Sequence, residues 1–180
     1  MSRSAALSVA LRAARERDAP ALAALYAPHV RAGTATFEID PPDAEEMLRR
    51  WWDVTARGLP YLVAEAEGQI VGYAYAGPYR PRPAYRFTVE DSIYVDAAVQ
   101  GHGVGRALLA RLIDETARTG ARQMIAVIGD SGNQASIGLH AALGFRHVGV
   151  LDSVGNKFAR WLDVVFMQRA LGAGGSAPAP

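Results

Sequence analysis

Apolar residues along this chain recur with two periods, close to helical in some stretches and alternating in others, and the switches between them mark out its elements. Ser8 to Arg12 alternates weakly and predicts a first strand. Asp18 then stands as N-cap to a helix from Ala19 to His29, whose apolar face is Leu22, Leu25 and Tyr26. Thr34 to Ile39 is β-branched and aromatic. Pro41-Pro42-Asp43 breaks the chain and caps a helix to about Thr55, carrying Met47, Leu48, Trp51 and Trp52; both tryptophans are assigned to the core. Tyr61 to Glu65 and Gln69 to Ala76 flank Glu67-Gly68 and predict a hairpin, followed by a proline-rich loop from Gly77 to Pro83.

Thr88 to Val95 alternates as a strand, with Val89, Asp91, Ile93 and Val95 on one face and Glu90, Ser92 and Tyr94 on the other. Ala107 to Thr119 is amphipathic, with Leu108, Leu109, Leu112 and Ile113 inward beside Val104. Met124 to Ile128 is continuously apolar, as in a strand covered on both faces. A short helix from Asn133 to Leu143 ends at Gly144, a residue suited to the left-handed C′ position. Strands near Arg146 to Leu151 and Trp161 to Arg169 complete the series. Antiparallel hairpins early and a β-α-β-α-β section later imply a mixed α/β fold with helices on both faces of the sheet.

The length of 180 residues suits one domain, and a hydrophobic share of 50% supplies one core. The divisions expected are an N-terminal extension at 1–8, a single domain at 9–170 and a disordered small-residue tail at 171–180. A net charge of +1 without long like-charge runs leaves no nucleic-acid footprint, so small-molecule partners are expected. The absence of cysteine rules out disulfides, thiolate metal sites and a thiol nucleophile, and no metal site is expected. The start lacks a secretory pattern and no stretch approaches a membrane span, so neither membrane association nor export is expected and the cytoplasm is the compartment anticipated.

One junction carries most of the chemistry. Gln100, Gly101, His102, Gly103, Val104, Gly105 and Arg106 join the apolar strand to the amphipathic helix. Alternate glycines permit a tight turn whose amides, with the helix N-terminus, suit a pyrophosphate. Arg106 occupies the place where a dinucleotide fingerprint starting at Gly101 needs glycine or alanine, and no Gly-Lys-Ser/Thr run exists for a Walker loop. The remaining pattern, Gln-x-x-Gly-x-Gly then Arg, resembles the acyl-CoA loop of the GNAT superfamily of N-acetyltransferases. Asn133, Ser136, His140 and Gly144-Phe145 match that superfamily's second motif. Tyr75 to Pro78, Thr88 to Glu90, Ala126 to Gly129 and Trp161 to Val164 resemble one branch, which acetylates phosphinothricin, methionine sulfoximine and methionine sulfone.

The resemblance implies a central, mostly antiparallel sheet of six to seven strands, splayed in the middle, with acetyl-CoA as cosubstrate and a homodimer as the assembly. It implies direct transfer to the primary amine of a small amino acid or analogue in a ternary complex. A protein N-terminus, an antibiotic amine, or acyl-CoA sensing without catalysis are the other functions open to such a chain. An attacking amine must be neutral, so a base is required. Glu90 matches the family's base, acting directly or through water; a half-exposed surface carboxylate is its bland alternative. Asp91 points to the opposite face and is set aside. The family assigns the oxyanion to the Val95 amide and the pantetheine wall to Asp96 and Ala97.

Gln100, Gly101, His102, Gly103, Val104, Gly105 and Arg106 correspond to the pyrophosphate site, Arg106 being otherwise a solvated helix residue. Asn133 reaches the pantetheine or caps its helix, and Ser136 does either likewise. His140 is either the acid that protonates the leaving thiolate or a structural helix histidine. No serine has an evident His-Asp partner in the linear sequence. For the acceptor, Arg80 or Arg82 suits acid groups, Tyr85 closes the pocket, Ser92 and Tyr94 contact the amine, and Phe37 walls it. The branch carries lysine where Arg80 stands and asparagine where Pro83 stands, which leaves the acceptor open.

Overall fold

The computed structural model describes residues 8–178. In chain order these form β1 (Ala10–Ala13), α1 (Ala19–Ala32), α2 (Ala44–Thr55), β2 (Tyr61–Ala66), β3 (Gln69–Pro78) and β4 (Thr88–Val95). They continue through α3 (Val104–Arg118), β5 (Gln123–Gly129), α4 (Gln134–Ala142), β6 (Arg146–Lys157) and β7 (Arg160–Ala170). Seven strands make one sheet in the order β1-β2-β3-β4-β5-β7-β6. Every pairing is antiparallel except β4 with β5. The expected mixed, mostly antiparallel sheet is therefore present.

Strand alternation divides the core in two. Leu62, Ala74, Ala76, Met124, Ala126 and Met167 turn to one face, where Leu108, Leu109, Leu112 and Ile113 of α3 cover them. Tyr61, Val63 and Tyr73 turn to the other, beneath Leu22, Tyr26 and Val30 of α1 and Met47 of α2. Asp43 caps α2 by accepting from the Glu46 amide at 2.8 Å. The β2–β3 turn is the one the sequence predicts, with positive φ at both Glu67 and Gly68. Gly144, at φ 81°, ends the α4 segment as expected.

Several elements differ from the sequence reading. The first strand starts at Ala10, and residues 1–7 of the predicted extension lie outside the described residues. Trp52 is 49% exposed, because successive helix positions diverge in direction and only Trp51 turns inward beside the α1–α2 core. Residues 34–39 form a loop instead of pairing with a strand; its backbone is claimed by Lys157, whose Nζ donates to the carbonyls of Gly33 at 2.9 Å and Thr36 at 2.8 Å. β6 runs six residues beyond Leu151, through register shifts at His147/Gly149 and Leu151/Gly155 that break the period on which the prediction relied. Leu171 belongs to the core, not the tail: it is buried, and its amide donates to Arg122 at 3.0 Å.

Leu108 is fully buried between α3 and the sheet. Leu108→Ala is expected to cost about 2–5 kcal/mol. The expected observation is a lower urea midpoint with an unchanged denaturant slope.

Candidate active site

β4 and β5 run parallel from the pair Thr88–Gln123 to the pair Asp91–Ala126, and there the ladder stops. Ser92 to Val95 and Val127 to Gly129 continue without a partner between them, so the sheet opens into a fork. Asp96 donates its amide to Val71 on β3 at 2.9 Å. By the alternation of an antiparallel ladder, the Val95 and Ile93 amides therefore point away from β3 into the fork. A cavity of about 440 Å³ occupies it, walled by β4, the glycine loop, β5 and the inner side of α4. Unpaired strand backbone is what an extended ligand bearing amides needs in order to pair.

The glycine loop closes the wide end. Gly101 and Gly103 have φ of 78° and 82°, and Gly103 is the left-handed residue immediately before α3. Gly105 serves packing: a Cβ there would lie 3.4 Å from Leu139 and 3.6 Å from Val95. The first helical bond on this loop runs from the Ala107 amide to Gly103, which leaves the amides of Val104, Gly105 and Arg106 free for an anion. Arg106 lines the same cavity. The Gln100 side chain turns back to donate to the Val95 carbonyl at 3.3 Å, and His102 Nδ1 donates to the Gln100 carbonyl at 3.0 Å; both brace the loop. Asp96 accepts from the Ala98 amide at 2.9 Å, holding Ala97 in a short turn between Val95 and Val99, which line the cavity where Asp96 and Ala97 do not.

Glu90, Ser92 and Tyr94 share the α1 face of β4, opposite Gly77, Tyr75 and Tyr73 on β3. Burial, then the charge of Asp91, pushes the Glu90 carboxyl up to about 7, with Arg80 opposing. Glu90 is thus poised to exchange a proton near neutrality. Ser92 and Tyr94 line the cavity. Tyr94 packs edge-on to Tyr26 at 4.6 Å, and His29 of α1 lies 5.4 Å from its ring. His29 also lines the cavity, with a pKa lowered mainly by burial. Nothing in the linear sequence marked it, because only the packing of α1 on β4 brings it to the fork.

The opposite face of β4 holds the largest correction. Asp91 does point away from Glu90, as alternation requires, but it is buried against His140 of α4. His140 Nε2 lies 2.9 Å from Asp91 Oδ2, and Nδ1 lies 2.7 Å from the Ser136 carbonyl and 3.4 Å from Ser136 Oγ. Burial alone would lower the His140 pKa; the hydrogen bond and charge of Asp91, helped by the Ser136 carbonyl, raise it overall. A serine, a histidine and an aspartate do therefore meet. Both ring nitrogens are engaged within the protein, which removes the simplest form of His140 as a free acid. Asn133 is the N-cap of α4, its Oδ1 accepting from the Ser136 amide at 3.2 Å, while the residue also lines the cavity.

The proposed acceptor residues are not all brought to the fork. Arg80, Arg82 and Tyr85 line a separate cavity of about 720 Å³ together with Arg57 and Arg86. Only Arg80 reaches Glu90 electrostatically. Phe37 lies against Gly155, where a Cβ would come within 2.1 Å of its ring, and against Gly129 at the end of β5. Among the described residues, no group of three His, Asp or Glu side chains is placed to hold a metal ion, and no helix is long and apolar enough to cross a membrane.

Comparison with known proteins agrees with this geometry. The model of the acetyltransferase (GNAT) family matches residues 22–145. The chain is 58% identical over 164 residues to a phosphinothricin N-acetyltransferase of Alcaligenes faecalis, covering 91% of this chain and 83% of the relative. It is 43% identical over 174 residues to the L-methionine sulfoximine/L-methionine sulfone acetyltransferase of Pseudomonas aeruginosa, covering 96% and 100% of the two chains. A solved phosphinothricin acetyltransferase from Sinorhizobium meliloti, in complex with acetyl-CoA, superposes with a TM-score of 0.93 at 44% identity, over 97% of this chain and 94% of that one. Fork, glycine loop and sequence relationship converge: the chain belongs to the acetyltransferase (GNAT) family and is an N-acetyltransferase.

Proposed function

We propose that the enzyme transfers the acetyl group of acetyl-CoA directly to the primary amine of a small amino acid or analogue of the phosphinothricin, methionine sulfoximine or methionine sulfone kind. The observation that carries this reading is Glu90, a carboxyl raised to about 7 on the strand that borders the fork. In this reading the diphosphate rests on the amides after Gly103 and beside Arg106, and the pantetheine pairs with the open edges of β4 and β5, reaching Asn133 and Ser136. The Val95 amide receives the developing oxyanion, and Glu90 removes the amine's proton directly or through water. His140 is the proton source for the departing thiolate. Arg80 reads the acceptor's acid group: it lines the neighbouring cavity with Arg82 and Tyr85, and of the three it is the one whose charge acts on Glu90.

This reading places the enzyme in the cytoplasm, with a membrane-impermeant donor. It also seats a second copy of the chain on the β6 edge. Val148, Val150, Leu151, Val154, Phe158 and Trp161 are exposed along this edge strand and its hairpin, an unusual concentration of apolar surface. Sedimentation is expected to give a dimer that Trp161→Glu dissociates; a wild-type monomer at micromolar concentration would refute the assignment.

A panel of phosphinothricin, methionine sulfone, methionine sulfoximine and the standard amino acids, followed by release of free coenzyme A, is expected to show turnover with the first group. Acetyl-CoA binding without turnover on a broad panel would overturn catalysis in favour of sensing. Glu90→Gln is expected to lower kcat on the order of 10²-fold at pH 7 with acetyl-CoA affinity retained. The wild-type kcat/KM should rise with pH through a midpoint near 7, as the Glu90 carboxylate forms.

The same carboxyl makes a stability prediction of opposite benefit. Its folded pKa of about 7 exceeds the ordinary value of 4.5, so the folded state holds the proton longer and loses stability as pH rises between them. Glu90→Gln should thus be about 1–3 kcal/mol more stable than wild type at pH 8 and no more stable at pH 4. Urea unfolding at the two pH values measures the difference.

A further inference from the structure

Asp91, His140 and Ser136 lie in sequence across the inner side of the fork, and their geometry fixes where the protons are. His140 Nδ1 faces the Ser136 carbonyl at 2.7 Å, and a carbonyl only accepts, so Nδ1 carries a hydrogen. An Nδ1–H imidazole cannot serve as a base towards Ser136 Oγ, which excludes a serine nucleophile activated in the manner of a hydrolase. Nε2 faces Asp91 Oδ2 at 2.9 Å, so this pair shares one further proton. The other carboxylate oxygen of Asp91, Oδ1, is buried and finds no hydrogen-bond partner among the described residues. The side chain is thus committed to the ring without being neutralised elsewhere. Ser136 Oγ, 3.4 Å from Nδ1, belongs to a residue that lines the cavity, as do Asp91 and His140.

We propose that these three residues form a proton-delivery relay running in the acid direction, in which Asp91 holds His140 as an imidazolium and the Ser136 hydroxyl hands the proton to the thiolate leaving in the fork. The inference rests on the acetyl-transfer reading and names a route for its proton. The amine nitrogen attacks the thioester carbonyl carbon, and the carbon–sulfur bond breaks with its electron pair left on sulfur. Ser136 Oγ–H moves to that sulfur while Nδ1–H moves to Oγ, which leaves coenzyme A thiol, intact Ser136 and a neutral His140 still donating Nε2–H to the Asp91 carboxylate. The substrate ammonium gives up two protons by way of Glu90 and water. One returns to His140 and one is released.

The long Oγ to Nδ1 separation fits a relay that tightens when the cleft fills. Ser136 is the donor that touches the reacting sulfur, whereas Asp91 acts through His140 as a positioning residue. The charged and titratable surroundings are few. From β4, the ring faces Asp91, which in turn acts on Glu90. Phe145 covers the ring edge-on at 4.9 Å. Arg169 of β7 lies beside Gly144 beyond the end of α4, and Arg106 of α3 reaches the same cavity. β5 presents Met124, Ala126 and Ile128 on this face, without charge.

Nitrogen-15 spectra of the free wild-type enzyme, with His140 assigned by His140→Gln, test the charge independently of turnover. Both ring nitrogens are expected protonated at pH 7.5; a neutral ring there overturns the proposal. Asp91→Asn is expected to move the alkaline limb of kcat to lower pH by at least a unit, because the charged donor is then lost earlier as pH rises. Ser136→Ala should lower kcat on the order of 10²-fold, well beyond any change in the KM for acetyl-CoA, and Ser136→Thr should restore most of it. An unmoved alkaline limb in Asp91→Asn, or wild-type kcat in Ser136→Ala, overturns the relay. If Asp91→Asn fails to fold, the spectrum and the serine pair still decide. A wild-type enzyme that binds no acetyl-CoA would sink the transfer reading, a result distinct from any of these.

Discussion

The arrangement of this enzyme follows from one missing set of hydrogen bonds. β4 and β5 are neighbours in a single sheet, yet their ladder ends at Asp91 and Ala126, and four residues of β4 run on with their inner edge open. Backbone amides and carbonyls left unpaired inside a protein are costly, so an open edge of this length persists only where a ligand or water completes it. The two halves of the sheet stay in place because one core cluster under α3 spans both, with α1 and α2 covering the other face of β2 and β3 and β5 held by its ladder to β7. The fork is thus a stable defect.

Everything functional is indexed to that defect. The final residues of β4 feed directly into the glycine loop, so the same strand that offers an open edge also delivers the free amides at the head of α3. Strand alternation sends adjacent carboxyls to opposite faces at the point where the ladder ends. Glu90 goes towards the tyrosine-rich side under α1, and Asp91 goes to the buried ring on α4. The proposed base and the proposed acid relay are thereby separated by the thickness of one strand. Their coupling remains, because the Asp91 charge is among the causes that raise Glu90.

The loops around the fork are held by polar atoms. Lys157 on the far side of the sheet secures the segment carrying Ala35 and Phe37 through two carbonyls, and Asp130 accepts from Thr34 Oγ1 at 2.7 Å at the end of β5. This explains why residues 34–39, with the composition of a strand, do not become one. Within this segment the Thr36 carbonyl accepts from Lys157 Nζ and the Glu38 amide donates to Thr36 Oγ1. β6 itself extends to Lys157 through two register shifts.

Local sequence determined a great deal of this. Period, caps and glycines specified nearly every element, the strand-to-helix glycine turn and the face on which Glu90 lies, because each depends only on neighbouring residues and backbone sterics. Family resemblance then pointed to acyl transfer. Tertiary structure alone decided the meeting of Asp91 with His140 across 49 residues, the arrival of His29 at the fork and the separation of Arg82 and Tyr85 from it. Alternation correctly turned Asp91 away from Glu90, yet it says nothing about what waits on the other side. A side chain's direction is a local property of its strand, whereas its partner and its proton are set by packing between elements far apart in the chain.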